Sequence, residues 1–210
     1  MAKQKRKSKK KRRISILVIL AIPLLILGLY TVLYYEYPYK LSSIVQTDVP
    51  EEYMPIYKAA EKEYGVPWYL LAAHHKVETR FSTMRTMISP VGAEGHMQFM
   101  PCTWVGWSHP SCSGLGEGDI PEEDKVNPDV IAKYGGYGVD ANGDGKADPF
   151  DIEDAIFSAA NFLAHNGAAD GEIEKAVLTY NQSDEYVEDV MYYADLFLEK
   201  EEEEDDKTSM

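Results

Sequence analysis

Val77-Glu78-Thr79-Arg80-Phe81, followed shortly by Ser89-Pro90-Val91-Gly92-Ala93-Glu94-Gly95-His96-Met97-Gln98, is the stretch around which this 210-residue chain is organised. Glu78 comes after the apolar run Tyr69-Leu70-Leu71-Ala72-Ala73, which places it late on a mostly buried helix. A carboxyl group in that position loses hydration, so its charged form is disfavoured and its pKa rises. Such a group holds a proton near neutral pH and can deliver it to a leaving oxygen. Gly92 and Gly95 let the following loop turn tightly and bring backbone close to a ligand. Gln98 adds an amide donor and acceptor beside it. On spacing alone, a solvated helix-end glutamate followed by an ordinary turn is the competing reading.

A third element decides between them. With Glu78-Thr79 at a helix end, Gly92-Ala93-Glu94-Gly95-His96-Met97-Gln98 as a loop, and Tyr180-Asn181 downstream in Ala176-Val177-Leu178-Thr179-Tyr180-Asn181-Gln182-Ser183, the chain resembles the lytic transglycosylases of the Slt type. Those proteins share a lysozyme-like fold with goose-type lysozymes. Their pattern is a Glu-Ser pair ending a helix, a G-A-x-G-x-M-Q loop and a Tyr-Asn pair, and the likeness extends over about residues 51–197. Thr79 replaces the usual serine, keeping the hydroxyl and adding a methyl group. Glu94 and His96 fill the loop's variable slots and bring two more titratable groups near the site. The resemblance implies a mainly α, lysozyme-like domain over residues 51–198. It implies Glu78 as the catalytic group, with Thr79, Gly95, Met97, Gln98, Tyr180 and Asn181 on the substrate side, and no cofactor for catalysis.

Outward from this centre, the chain is asymmetric in charge. Nine of its 21 basic residues lie in the first 13 positions, and all 35 acidic residues come at Glu36 or later. From Glu36 onward the balance is 12 basic against 35 acidic residues, which argues against nucleic acid or anionic lipid as a partner of the folded domain. Residues 1–13 read as a basic cytoplasmic tail. Ile14 to Tyr35 is 22 residues without a charge, enough for one transmembrane helix. Its basic flank predicts a cytoplasmic N-terminus and an extracellular domain, a single-pass protein of the cell membrane. A cleavable signal peptide competes, but the apolar run is long for one and no A-x-A site follows. Residues 36–50 read as a linker and residues 199–210 as an acidic disordered tail.

Within the domain, helical spacing over Glu51–Tyr64 ends at Gly65, and Pro67 opens a second helix that runs to about Glu78. His74 and His75 lie on it without the H-E-x-x-H pattern of zinc proteases and read as structural. Arg80–Gly95 is loop and Met97–Gly106 a short helix. Phe99, Trp104 and Trp107 gather here, either to stack on sugar rings or to fill the core. Glu122–Tyr134 is weakly helical. Residues 151–166 carry a broad apolar face and read as the central core helix. Ile173–Tyr180 and Asp184–Glu199 are further helices.

Two local features remain. Asp140-Ala141-Asn142-Gly143-Asp144-Gly145-Lys146-Ala147-Asp148-Pro149-Phe150-Asp151 follows the EF-hand-like pattern D-x-[DN]-x-[DN]-G. It predicts a structural calcium ion held by Asp140, Asn142, Asp144, the Lys146 carbonyl, Asp148 and Asp151. A solvated acidic turn is the alternative. Comparable loops occur in some lytic transglycosylases. Cys102 and Cys112 lie in a Gly/Ser/Pro-rich stretch, and outside the cell they are expected to form a disulfide worth about 2–3 kcal/mol; otherwise they are free thiols. Their spacing does not suit zinc.

The resemblance thus implies cleavage of the β-1,4 bond between N-acetylmuramic acid and N-acetylglucosamine in peptidoglycan glycan strands, with formation of a 1,6-anhydro ring. Two alternatives stand beside it. One is a muramidase that uses water, with Glu94 as second carboxylate. The other is a non-catalytic, calcium-stabilised wall-binding module.

Overall fold

A computed structural model describes residues 48–208. The expected basic tail, the expected transmembrane anchor and most of the expected linker fall outside the described residues. Among the described residues no helix is long and apolar enough to cross a membrane, and there is no β-strand; two isolated bridges, Ile88 with Glu94 and Glu94 with Phe99, are the nearest approach to one.

The fold is built on α2, Trp68–Thr79. Leu70, Leu71, Ala72, Ala73, His74 and His75 are all fully enclosed, so this helix is buried all round rather than amphipathic. A 3-10 turn at Glu51–Tyr53 leads into α1, Met54–Tyr64, which turns Tyr57 and Ala60 inward. Beyond α2 come three short helices, α3 (Pro101–Val105), α4 (Glu122–Lys125) and α5 (Pro128–Tyr134), which pack on one another. The break between α4 and α5 has a local cause. Pro128 disfavours helical backbone at the residue before it, and Asn127 instead caps α5 by accepting from the Asp129 and Val130 N–H groups. Then follow α6 (Ile152–His165), α7 (Ile173–Tyr180) and α8 (Asp184–Thr208).

The sequence reading makes α6 the central helix. The centre is shared: α2 packs most extensively on α8 and also touches α1 and α6, whereas α6 joins α1, α2 and α7. Fully burying a side chain such as Leu70 or Leu71 contributes about 1.5–3 kcal/mol each. Phe99 and Trp104 belong to this core, with ring centroids 5.3 Å apart, and the Trp104 indole N–H donates to the Lys125 carbonyl at 3.1 Å. Trp107 alone of that aromatic trio is exposed.

The expected disordered tail is helical as far as Thr208. Glu201 is the reason: its carboxylate accepts from the Trp68 indole N–H at 2.8 Å and from Lys58 Nζ at 2.7 Å, which fastens the acidic end of α8 to α1 and α2. Cys102 and Cys112 are joined in a disulfide.

The acidic loop is closed by its own backbone. Asp140 accepts from the N–H groups of Gly143, Asp144 and Gly145, Asn142 accepts from Asp144, and Asp144 accepts from Lys146. Asp148 accepts from Phe150, and Asp151 caps α6 through the N–H groups of Glu153 and Asp154. Asp154, one turn into α6, is fully buried and binds the N–H groups of Ala141, Asn142 and Asp148. Burial pushes the Asp154 carboxyl up, against the pull of those three N–H groups. Among the described residues no three His, Cys, Asp or Glu side chains converge to hold a metal ion.

Candidate active site

Helix α2 delivers Glu78 to its last turn, and the chain then makes an unusual exit. Arg80, Phe81 and Ser82 have φ of 55°, 57° and 62°, three successive non-glycine residues in the left-handed region. Each costs of order 1–2 kcal/mol, so the turn must be held by its surroundings. Three features hold it. The Arg80 and Phe81 N–H groups donate back to the Lys76 and His75 carbonyls, the Ser82 N–H donates to Thr79 Oγ1, and the Phe81 ring is buried against His75 and Phe197.

Ser82 Oγ is also the middle of a polar chain. Tyr57 Oη lies 2.6 Å from His75 Nδ1, His75 Nε2 2.6 Å from Ser82 Oγ, Ser82 Oγ 2.6 Å from His96 Nδ1, and His96 Nε2 2.9 Å from the Phe150 carbonyl. The Phe150 carbonyl can only accept, so His96 carries its proton on Nε2 and accepts from Ser82. Ser82 then accepts from His75 Nε2–H, and Tyr57 donates to His75 Nδ1. Burial drives His75 down to about 3 and also lowers His96, in keeping with two neutral rings.

Glu78 itself is half-buried. Burial raises its pKa to about 7, against the pull of a hydrogen bond from Tyr186 Oη at 2.5 Å. Tyr186, in the first turn of α8, is not among the site residues expected from sequence, where it reads as one more core position of an apolar helix face. A usable signal was there: a buried phenol needs a partner for its hydroxyl, and Glu78 is the buried acid available. Tyr180, expected on the substrate side, donates to the Met97 carbonyl at 2.7 Å. The Tyr180 and Tyr186 rings lie parallel with centroids 6.5 Å apart, and His74 packs edge-on to both. Burial pushes both phenols well above their ordinary range, with the Glu78 charge as a second cause. His74 donates from Nδ1 to the Leu70 carbonyl, while its enclosed Nε2 has no partner among the described residues; burial takes it down to about 4.

The remaining expected residues divide by exposure. Thr79 is fully buried, and its hydroxyl donates to the His96 carbonyl at 2.8 Å, so it ties the helix end to the glycine loop rather than facing a ligand. The Met97 side chain is likewise enclosed. Gly95 is fixed by close approach: a Cβ there would fall 1.8 Å from the Pro149 carbonyl oxygen, at a φ of +77°. Gln98, at φ 50°, donates from Nε2 to the Gly95 carbonyl at 2.8 Å and the Met87 carbonyl at 3.1 Å. Both of its N–H donors are thus engaged, and any further bond uses Oε1 as acceptor. Asn181 caps the C-terminus of α7 and is exposed. Glu94 lies elsewhere in the loop, with both oxygens 2.9 Å from Lys125 Nζ, which Glu122 also contacts at 2.9 Å. A depression of about 390 Å³ is lined by Glu123, Asn127 and Lys146 among others, and by none of the groups described around Glu78.

Residues 131–174 match the family model of the Transglycosylase SLT domain. That segment runs from α5 through the acidic loop and α6 into α7, and it contains neither Glu78 nor the glycine loop. Over 144 residues, 69% of this chain, the sequence is 25% identical to the L-Ala–D-Glu endopeptidase of Bacillus subtilis (strain 168). The chain covers 41% of that relative's length. No solved structure matches. The helical fold and the matched segment together make the chain similar to the transglycosylase SLT group of lysozyme-like, peptidoglycan-acting proteins.

Proposed function

We propose that this protein is a lytic transglycosylase that cleaves the N-acetylmuramic acid–β-1,4–N-acetylglucosamine bond, with Glu78 as the single acid and base. The observation that carries the reading is the Glu78 carboxyl, raised to about 7 at the helix end that Thr79 ties to the glycine loop, and held by Tyr186. A carboxylic acid with that pKa is protonated in a useful fraction at neutral pH. It donates its proton to the bridging oxygen as the bond from C1 breaks. As a carboxylate it then takes the proton of the muramic acid C6 hydroxyl, whose oxygen bonds to C1 and closes the 1,6-anhydro ring. Tethering of that hydroxyl to the reacting sugar gives the step its proximity advantage. Gln98 Oε1 suits the N–H of an acetamido group, because an acceptor is what the loop leaves on offer.

The hydrolytic alternative needs a second carboxylate to position water. Glu94 is the candidate, and its pairing with Lys125 speaks against it. Peptidase chemistry by a cysteine nucleophile is disfavoured as well, since both cysteines are in the disulfide. Glu78→Gln keeps the shape and removes the titrating group. It is expected to abolish cleavage of purified peptidoglycan while leaving the helical circular dichroism unchanged; substantial residual turnover would defeat the assignment.

Two further parts of the proposal rest on sequence pattern alone. One is a structural calcium ion at Asp140–Asp151, to which the present arrangement of side chains lends no support. A chelator-induced fall in melting temperature, reversed by millimolar calcium, is the result expected if the site exists. The other is the single-pass anchor at residues 14–35 with an extracellular domain, tested by whether the intact chain fractionates with membranes.

A further inference from the structure

Trp107 is the exception among the three tryptophans: it is 57% exposed, whereas Trp68 and Trp104 are 5% and 1% exposed. Its six-membered ring is seated on Gly116, where a Cβ would lie 3.3 Å from both Cζ2 and Cη2. Gly116 is at φ +102°, so a side chain there would be both strained and in the way of the ring. The loop beneath is braced. The Cys102–Cys112 disulfide closes the segment that carries Trp107, the Cys102 N–H donates to the Gly116 carbonyl at 2.9 Å, and the Asp119 N–H donates to the Ser111 carbonyl at 3.1 Å. An exposed indole on a rigid, covalently closed support is a preformed stacking surface.

Two contacts link this surface to the glycine loop. Met100, two residues past Gln98, meets Gly116 beside the indole, with its Cβ 3.2 Å from the position of a Gly116 Cβ. The Glu117 side chain lies against Gly92 at the loop's opposite end. Charge selects the ligand class. Residues 107–119 contain no Lys or Arg, and Glu117 and Asp119 add negative charge. On neighbouring α4, Lys125 is already paired with Glu94 and Glu122. An anionic ligand is therefore repelled, while the face of a neutral pyranose ring suits the indole.

We propose that Trp107, on its Gly116-disulfide support, is a saccharide-binding subsite that extends the Glu78–Gln98 site and takes a neutral N-acetylhexosamine ring of the glycan strand. This rests on the reading of Glu78 as a peptidoglycan-cleaving group, and the test separates the two. Because Trp68 and Trp104 are buried, a change of tryptophan emission on adding sugar reports Trp107. Full-length Glu78→Gln protein in detergent is titrated with N-acetylglucosamine hexamer. A saturable blue shift is expected. Trp107→Ala in the same background is expected to bind about ten-fold more weakly, and Trp107→Phe to retain most of the affinity. Cleavage of peptidoglycan by the unmodified chain is measured in parallel. Cleavage together with hexamer binding that leaves the emission unmoved and is equal in Trp107→Ala overturns the subsite alone. A chain that neither cleaves peptidoglycan nor binds the hexamer overturns both readings. An emission shift that follows protein concentration without sugar would assign the surface to a second copy of the chain and also overturn the proposal.

Discussion

Glu78 is an acid by virtue of its neighbours, and its stability linkage has a definite sign. Its folded pKa is raised from 4.5 to about 7, so between those values the folded chain binds a proton that the unfolded chain has released. The stability associated with that proton is complete below pH 4.5 and is lost as pH rises through about 7. Glu78→Gln, which cannot ionise, is therefore expected to raise the melting temperature at pH 8 and leave it nearly unchanged at pH 4. The gain at pH 8 is at most roughly 3 kcal/mol. His74 and His75 act from the other side. Burial lowers both, to about 4 and about 3, so stability falls as pH drops below 6.5 through those values. Tyr186→Phe removes the hydrogen bond that favours the charged carboxylate. It is expected to move the alkaline limb of the pH–rate profile upward by about one unit and to lower kcat. An unmoved limb would show that Tyr186 does not act on Glu78.

At the scale of the element, the left-handed turn after α2 is the feature on which the site's shape depends. Ser82 joins His75 to His96 there, and Ser82→Ala leaves a buried imidazole N–H and a ring acceptor without partners. A loss of about 1–3 kcal/mol follows from that alone, measurable by urea denaturation, with Ser82→Thr recovering part of it. This turn also shows where sequence reasoning stopped. Helix α2, its end at Glu78, the loop as far as Gly95, and the start of α7 and α8 were legible, because apolar spacing, Pro67, Gly65 and the Tyr180-Asn181 break are local signals, whereas the short helix expected from Met97 begins only at Pro101. Three successive positive φ values on Arg80, Phe81 and Ser82 were not, since nothing local favours them and only packing of Phe81 and the histidine chain holds them. That Tyr186 reaches Glu78 was hidden for a related reason. Which phenol reaches Glu78 is set by how α8 crosses α2, a tertiary fact that the helical period of either segment leaves open.

The whole molecule is tied together across long sequence distances. Glu201 of α8 reaches Trp68 of α2 and Lys58 of α1, so the acidic end is part of the fold rather than an appendage. Glu201→Ala strands the Trp68 indole N–H and is expected to cost about 1 kcal/mol, read as a lowered melting temperature, whereas the same change at exposed Glu202 should be silent. Sequence suggested a solvated tail there because a run of carboxylates carries no apolar period; the partners that order it lie more than 130 positions away. At this scale the proposed reaction is intramolecular attack within the glycan strand, served by the half-buried Glu78 carboxyl without a second carboxylate to activate water. Mass spectrometry of the fragments that the intact chain releases from purified peptidoglycan tests it most directly. Products ending in 1,6-anhydromuramic acid, lighter by one water than reducing ends, are the predicted result, and a product mixture made up of reducing ends would contradict it.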